Sequence, residues 1–126
     1  MVRILIIEDD AEMRALLKDS LVEDGMEFES AGNGAEAIQK LAEEPFDLVI
    51  TDIRMPGLTG LDILPGIKKL QPQTRVIVIT AFGSEEVRRK SFDRGAVAYL
   101  EKPIDMNRLK TLIQEMVSTK EKGARA

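Results

Sequence analysis

The chain alternates five times between a short apolar run and a longer stretch with apolar residues at helical spacing. Ile4 to Ile7 is continuous and mostly β-branched, as in a strand buried on both faces. An acidic turn follows. Met13, Leu16, Leu17 and Leu21 then mark a first helix, with Gly25 as its stop. Phe28 to Ala31 reads as a second strand, Asn33-Gly34 as a turn, and Ala37, Ile38 and Leu41 as a second helix ending near Pro45. Phe46 to Thr51, interrupted by Asp47, reads as the third strand, and Leu61, Leu64, Ile67 and Leu70 give the third helix. Pro65 within that helix predicts a late start or a kink. Val76 to Ile79 is the fourth strand, and Ser84 caps a fourth helix with Glu85 and Glu86 in its first turn. Ala96 to Leu100 is the fifth strand. Asp105 caps a last helix with the apolar stripe Leu109, Leu112, Ile113, Met116 and Val117, and the polar tail from Lys120 to Ala126 is expected to fray.

Five strand–helix units with buried strands predict an α/β fold, a parallel sheet with helices on both faces. Right-handed crossovers restrict it to a few doubly wound orders. In such sheets a site forms at the carboxyl ends of the strands, near a switch in strand order.

The 126 residues suit one domain, and 44 % hydrophobic against 32 % charged residues is a globular balance. A net charge of −4 gives no sign of nucleic-acid binding. With no cysteine, thiol catalysis and zinc thiolate sites are excluded; with no histidine, so are Ser-His-Asp hydrolysis and imidazole metal ligation. No apolar run approaches a membrane span, and the N-terminus lacks a signal-peptide cleavage region, so a cytoplasmic location is expected.

Polar residues stand at corresponding strand ends: Glu8, Asp9 and Asp10 after the first, Asp52 after the third, Thr80 after the fourth and Lys102 after the fifth. A parallel sheet brings them to one edge. Clustered carboxylates raise one another's pKa unless a cation neutralises them. An all-oxygen set favours a hard ion such as Mg²⁺, which takes one or two carboxylates and keeps waters. Asp9 and Asp52 are the expected direct ligands, Glu8 acts directly or through water, and the backbone carbonyl of Arg54 is a further donor. Asp52 is the expected nucleophile toward phosphorus. Lys102 and the Thr80 hydroxyl are placed for phosphoryl oxygens.

Taken singly, each residue has an ordinary reading. The acids suit a helix N-terminus, which is the preferred reading for Asp10. Asp52 suits a turn, Lys102 a solvated position and Thr80 a strand end. Their joint placement favours the chemical reading.

The segments Ile-Leu-Ile-Ile-Glu8-Asp9-Asp10, Asp52-Ile-Arg-Met-Pro-Gly, Thr80-Ala81 and Lys102-Pro103 closely resemble the receiver domains of bacterial two-component response regulators. The resemblance spans residues 2–117 and leaves 118–126 as a tail or the start of a linker. It implies the flavodoxin-like, CheY-like fold: a doubly wound five-stranded parallel sheet, order 2-1-3-4-5, with five helices. It implies Mg²⁺, with Mn²⁺ able to substitute, and phosphorylation of Asp52 by a sensor histidine kinase or histidine phosphotransfer protein. It implies a signalling switch rather than an enzyme, and a phosphoryl site of Thr80, the Ala81 backbone and Lys102. A cis Lys102–Pro103 bond, a Thr80–Tyr99 switch pair, and tuning of phosphoryl lifetime by Arg54 and Phe82 are also implied. The ordinary reading of Tyr99 is half-buried packing on an edge strand.

The fourth helix has only Val87 and Phe92 as large apolar residues and carries Arg88, Arg89, Lys90 and Arg94. A thin apolar stripe anchors it weakly, so this helix and the fifth strand are the expected output surface; the ordinary reading is a solvated face. Phosphorylation-dependent homodimers are plausible for the family. Asp-Ile-Arg-Met-Pro-Gly, with Leu-Asp-Ile-Leu-Pro downstream, resembles NtrC-type receivers, which control transcription through attached output domains. Glu8 departs from the family's commoner aspartate.

Three alternatives fit less well. An aspartate-nucleophile phosphohydrolase of the haloacid-dehalogenase type wants an acid where Arg54 stands. A flavin or nucleotide module wants a glycine-rich loop where Glu8-Asp9-Asp10 stands. A phosphorylation-independent binding module has no need of the intact Asp9, Asp52, Thr80 and Lys102 set.

Overall fold

Every predicted apolar run is a strand and every amphipathic stretch a helix in the computed structural model, which describes residues 2–22, 26–54, 57 and 59–125, with side chains to residue 116. The order is β1 (Val2–Ile7), α1 (Ala11–Leu21), β2 (Met26–Ala31), α2 (Gly34–Glu43), β3 (Leu48–Asp52), α3 (Gly60–Leu70), β4 (Arg75–Thr80), α4 (Glu85–Asp93), β5 (Ala98–Glu101) and α5 (Met106–Arg125). All pairings are parallel, in the order β2-β1-β3-β4-β5. The sequence switches direction between β1 and β3, so their carboxyl ends open a crevice there.

The sheet divides the core by the two-residue period of its strands. Leu5, Ile7, Val49, Val76 and Val78 pack with Ala37, Leu41, Ile63, Leu64 and Ile67 of α2 and α3. Ile4, Ile6, Leu48, Ile50, Ile77 and Ile79 face the other way, onto Leu17, Leu21, Leu109 and Ile113 of α1 and α5. Full burial of each of these Val, Leu and Ile side chains contributes roughly 1.5–3 kcal/mol.

At the amino ends of the strands, one arginine ties β1 to β2 and to the segment that leads into β3. Arg3 donates to Glu29 (2.6 Å), Glu44 (2.6 Å) and the Pro45 carbonyl (3.2 Å), and stacks 4.9 Å from the Phe46 ring. Gln71 fastens α3 to the same end through the carbonyls of Leu41 and Glu44 (2.7 and 2.6 Å).

The caps at Ser84 and Asp105 form as predicted, accepting from Val87 N–H and from Asn107 and Arg108 N–H. Several local expectations are corrected. Asn33 is not a turn residue but the N-cap of α2, accepting from Glu36 N–H at 2.8 Å. Leu16 is 52 % exposed; only its neighbour Leu17 faces the core. The third strand begins at Leu48 and the fifth at Ala98, each two residues later than the apolar pattern suggests. The first helix ends at Leu21, and Gly25, its predicted stop, lies outside the described residues. α5 runs from Met106 to Arg125.

Pro65 neither delays nor interrupts α3. A proline there leaves the carbonyl four residues back, that of Leu61, without its helical N–H. The Arg94 guanidinium, from the end of α4, donates to it at 2.8 Å. Thr59 and Asp62 close the helix start as a reciprocal capping box. Arg94 is therefore a structural donor rather than one more charge on a solvated face.

Candidate functional site

β1, β3, β4 and β5 deliver the predicted residues to one crevice. β3 ends on Asp52, which is 5 % exposed. Its Oδ1 accepts the Arg54 N–H (3.0 Å), and its Oδ2 accepts the Lys102 ammonium (2.6 Å). Lys102 directly follows β5 and is held by its own N–H on the Thr80 carbonyl (2.8 Å). The following Lys102–Pro103 peptide is cis.

Glu8 follows β1 and is 1 % exposed. Its Oε2 is buried with no hydrogen-bond donor, and the Lys102 Nζ stands 3.5 Å away. Burial, then the hydrogen bond and charge of Asp52, push the Glu8 carboxyl up to about 7. Burial pulls the Lys102 ammonium down, but its bond to Asp52 and the charges of Asp52 and Glu8 outweigh this and raise it. Asp9 is exposed at the mouth. Asp10 turns away to cap α1, accepting from Glu12 and Met13 N–H (2.9 and 3.3 Å), so it lies outside the cluster as expected.

Glu8, Asp9 and Asp52 each offer a carboxylate oxygen within 4.8 Å of the other two. Three acids and one ammonium leave an excess of negative charge, and one buried oxygen has no donor. That is the environment of a hard divalent cation, and the set is able to hold one.

Thr80 ends β4 fully buried, and its Oγ1 accepts the Phe82 N–H at 3.0 Å. The hydroxyl thereby keeps its own proton to donate. Ala81 is exposed beside it. Arg54 and Phe82 meet over the crevice, with the guanidinium 4.1 Å from the ring centroid. Tyr99, on β5, is already turned inward. Its hydroxyl is shut off from solvent without a hydrogen-bond partner, and burial, then the Glu101 charge, raise it above the ordinary phenol value.

Three residues escaped the sequence reading. Arg14, on α1, donates to the carbonyls of Glu8 (2.7 Å) and Asp9 (3.3 Å) and fixes the loop that carries both acids. Gly60 lets α3 approach the Asp52 backbone: a side chain there would stand 2.9 Å from the Ile53 Cα and collide with the Asp52 carbonyl. Gly83 lies against Tyr99 in the loop after β4. Gly60, between the two members of the Thr59–Asp62 capping box, carried the one visible hint of these; the others required the fold.

A five-stranded, doubly wound sheet with an acidic crevice at the β1–β3 switch, a lysine from the fifth strand and a buried threonine from the fourth defines a phosphoacceptor type of fold and site. The model of the response regulator receiver domain family matches residues 4–114, and the chain belongs to that family. It is a receiver domain of two-component response regulators.

The response regulator protein PilR of Pseudomonas aeruginosa is 41 % identical over 109 residues, 86 % of this chain and 24 % of PilR. The DNA-binding transcriptional regulator NtrC of Escherichia coli is 34 % identical over 113 residues, 90 % of this chain and 24 % of NtrC. The chain thus spans about a quarter of these relatives. Among solved structures, a CheY-like receiver domain protein from Methanospirillum hungatei is 33 % identical, with a TM-score of 0.92 over 98 % of both chains. The response regulator TrrA from Thermotoga maritima, in complex with Mg(2+)-BeF, is 35 % identical, with a TM-score of 0.82 over 92 % of this chain and 99 % of that one. No helix among the described residues is long and apolar enough to cross a membrane.

Proposed function

We propose that Asp52 accepts a phosphoryl group from the phosphohistidine of a sensor histidine kinase or histidine phosphotransfer protein. The observation that carries this is the pairing of Asp52 with Lys102 at 2.6 Å inside a three-carboxylate cluster. Glu8, Asp9, Asp52 and the Arg54 carbonyl are the groups that hold Mg²⁺; the Mg(2+)-BeF complex of TrrA supports that choice. When bound, the ion supplies positive charge to the oxygens of the group in transfer.

The chain's own residues do the rest. The Arg54 N–H fixes the Asp52 carboxylate. An Asp52 oxygen forms the new bond to phosphorus as the donor's N–P bond breaks, the electron pair leaving with the imidazole. Lys102 passes its hydrogen bond from the carboxylate to a phosphoryl oxygen. Thr80 donates its free hydroxyl proton to another, and the Ala81 N–H to a third. Thr80 and Tyr99 form the switch pair, and α4 with β5 forms the output surface, where only Ser91 of α4 is buried. Residues 2–117 form the receiver domain and 118–126 a tail or the start of a linker to an output domain such as a transcriptional regulator carries. The protein works in the cytoplasm as a switch rather than an enzyme.

Incubation with acetyl phosphate and Mg²⁺ should raise the intact mass by one phosphoryl group, and Asp52→Asn should abolish the gain. No gain in the unsubstituted chain, with acetyl phosphate shown to be active, would refute the proposal.

The stacked Arg54 and Phe82 narrow the approach of water to the phosphorylated Asp52. Phe82→Ala should shorten the phosphorylated lifetime several-fold, as followed by the decay of the phosphorylated mass. Unchanged or slower decay would contradict this role.

A further inference from the structure

Gly83 lies in the loop between β4 and α4, and its backbone is not in the left-handed region; among the described glycines only Gly57 and Gly95 have positive φ. Alanine would fit its conformation, so the glycine is not explained by backbone freedom. Space explains it. A Cβ at position 83 would stand 2.5 Å from Glu101 Oε1 and would collide with the Tyr99 hydroxyl. Both atoms are ends of side chains, so a methyl group there is accommodated by moving them rather than the backbone.

The Tyr99 hydroxyl beneath Gly83 is buried without a hydrogen-bond partner. The inward phenol is thus held chiefly by shape, with the Ser84 backbone and the Glu101 carboxylate as its polar neighbours. One residue earlier in the same loop, the Phe82 N–H is bonded to Thr80 Oγ1. The loop therefore touches the phosphoryl site at one end and the phenol at the other.

We infer that Gly83 is a positioning residue for the switch: the absence of a side chain at 83 makes the space for the inward Tyr99, and the loop tied to Thr80 couples that space to the phosphorylation site. When the Thr80 hydroxyl turns to a phosphoryl oxygen it releases the Phe82 N–H, and the loop is free to settle over the phenol. This rests on the reading of Thr80 and Tyr99 as the switch pair.

The chain has one tyrosine and no tryptophan, so its intrinsic fluorescence reports Tyr99 alone. In the unphosphorylated protein, acrylamide should quench this emission poorly, and acetyl phosphate with Mg²⁺ should lower the quenching further as the loop settles over the phenol. In Gly83→Ala the quenching constant should rise toward that of the urea-unfolded chain, and acetyl phosphate with Mg²⁺ should no longer change it, although intact mass still records one phosphoryl group. A quenching constant unchanged by Gly83→Ala overturns the inference. A thermal-melting cycle covers the case of a poorly folded variant: Gly83→Ala should lower Tm in the native background and not in Tyr99→Ala. An equal loss in both backgrounds also overturns it. If the unsubstituted chain gains no phosphoryl mass, the phosphoacceptor reading fails, while the quenching and melting comparisons still decide the role of Gly83.

Discussion

Replacing Lys102 with methionine should slow phosphorylation of Asp52 by acetyl phosphate about 100-fold or more, a loss typical of removing one pre-placed group from developing charge. Methionine keeps the length and apolar stem but removes the cation that stands 2.6 Å from Asp52 and 3.5 Å from Glu8. In the unsubstituted site that ammonium is already positioned, so no side chain must be recruited as negative charge shifts to the phosphoryl oxygens. The same change should lower the stability of the metal-free protein by roughly 2 kcal/mol, less than for a wholly buried pair because Lys102 retains some solvent. A time course of intact mass and a urea titration without divalent ions measure the two effects. A rate within a few-fold of the unsubstituted chain would remove Lys102 from the mechanism.

The second large effect is one of pH. The Glu8 carboxyl has a folded value of about 7 against an ordinary 4.5, chiefly because it is buried. Between those values the metal-free native state holds a proton that the unfolded chain has lost, so stability must fall as pH rises. The stabilisation of the protonated form is fully present below pH 4.5 and lost as pH passes through 7. The loss is on the order of 3 kcal/mol. A cation bound to the site favours the ionised carboxyl, so Mg²⁺ should restore stability chiefly at the upper end and release a proton on binding near neutrality. Urea titrations from pH 5 to 8, with and without Mg²⁺, test this. Glu8→Gln should flatten the metal-free profile; a profile equally steep in that variant would assign the effect elsewhere.

The strands were legible because burial on both faces gives continuous apolar runs, as in Ile4 to Ile7, and a helix cannot be confused with so short a run between turns. The site was legible because a parallel sheet sends equivalent strand ends to one edge: Glu8, Asp52, Thr80 and Lys102 do meet there. What was not legible depends on partners far along the chain. Helical spacing admits both Leu16 and Leu17, and only the angle at which α1 lies on the sheet selects Leu17. Asn33 carries the same residue chemistry as a turn or as a cap, and the choice rests on where α2 docks. Pro65 reads as a disruption because its remedy, Arg94, is 33 positions from the Leu61 carbonyl it serves. Arg14 and Gly83 have no motif of their own; they matter because folding sets them against Glu8 and Tyr99.

The Arg3 cluster has a mechanical consequence. Glu29, Glu44, Pro45 and Phe46 converge on one guanidinium at the amino ends of the central and outer strands, opposite the acids. The sheet is a cantilever, clamped at that base and about 20 Å long over six residues. A shift at the acid edge therefore meets a stiff base, and α4, which buries only Ser91, is an element beside that edge with little to hold it.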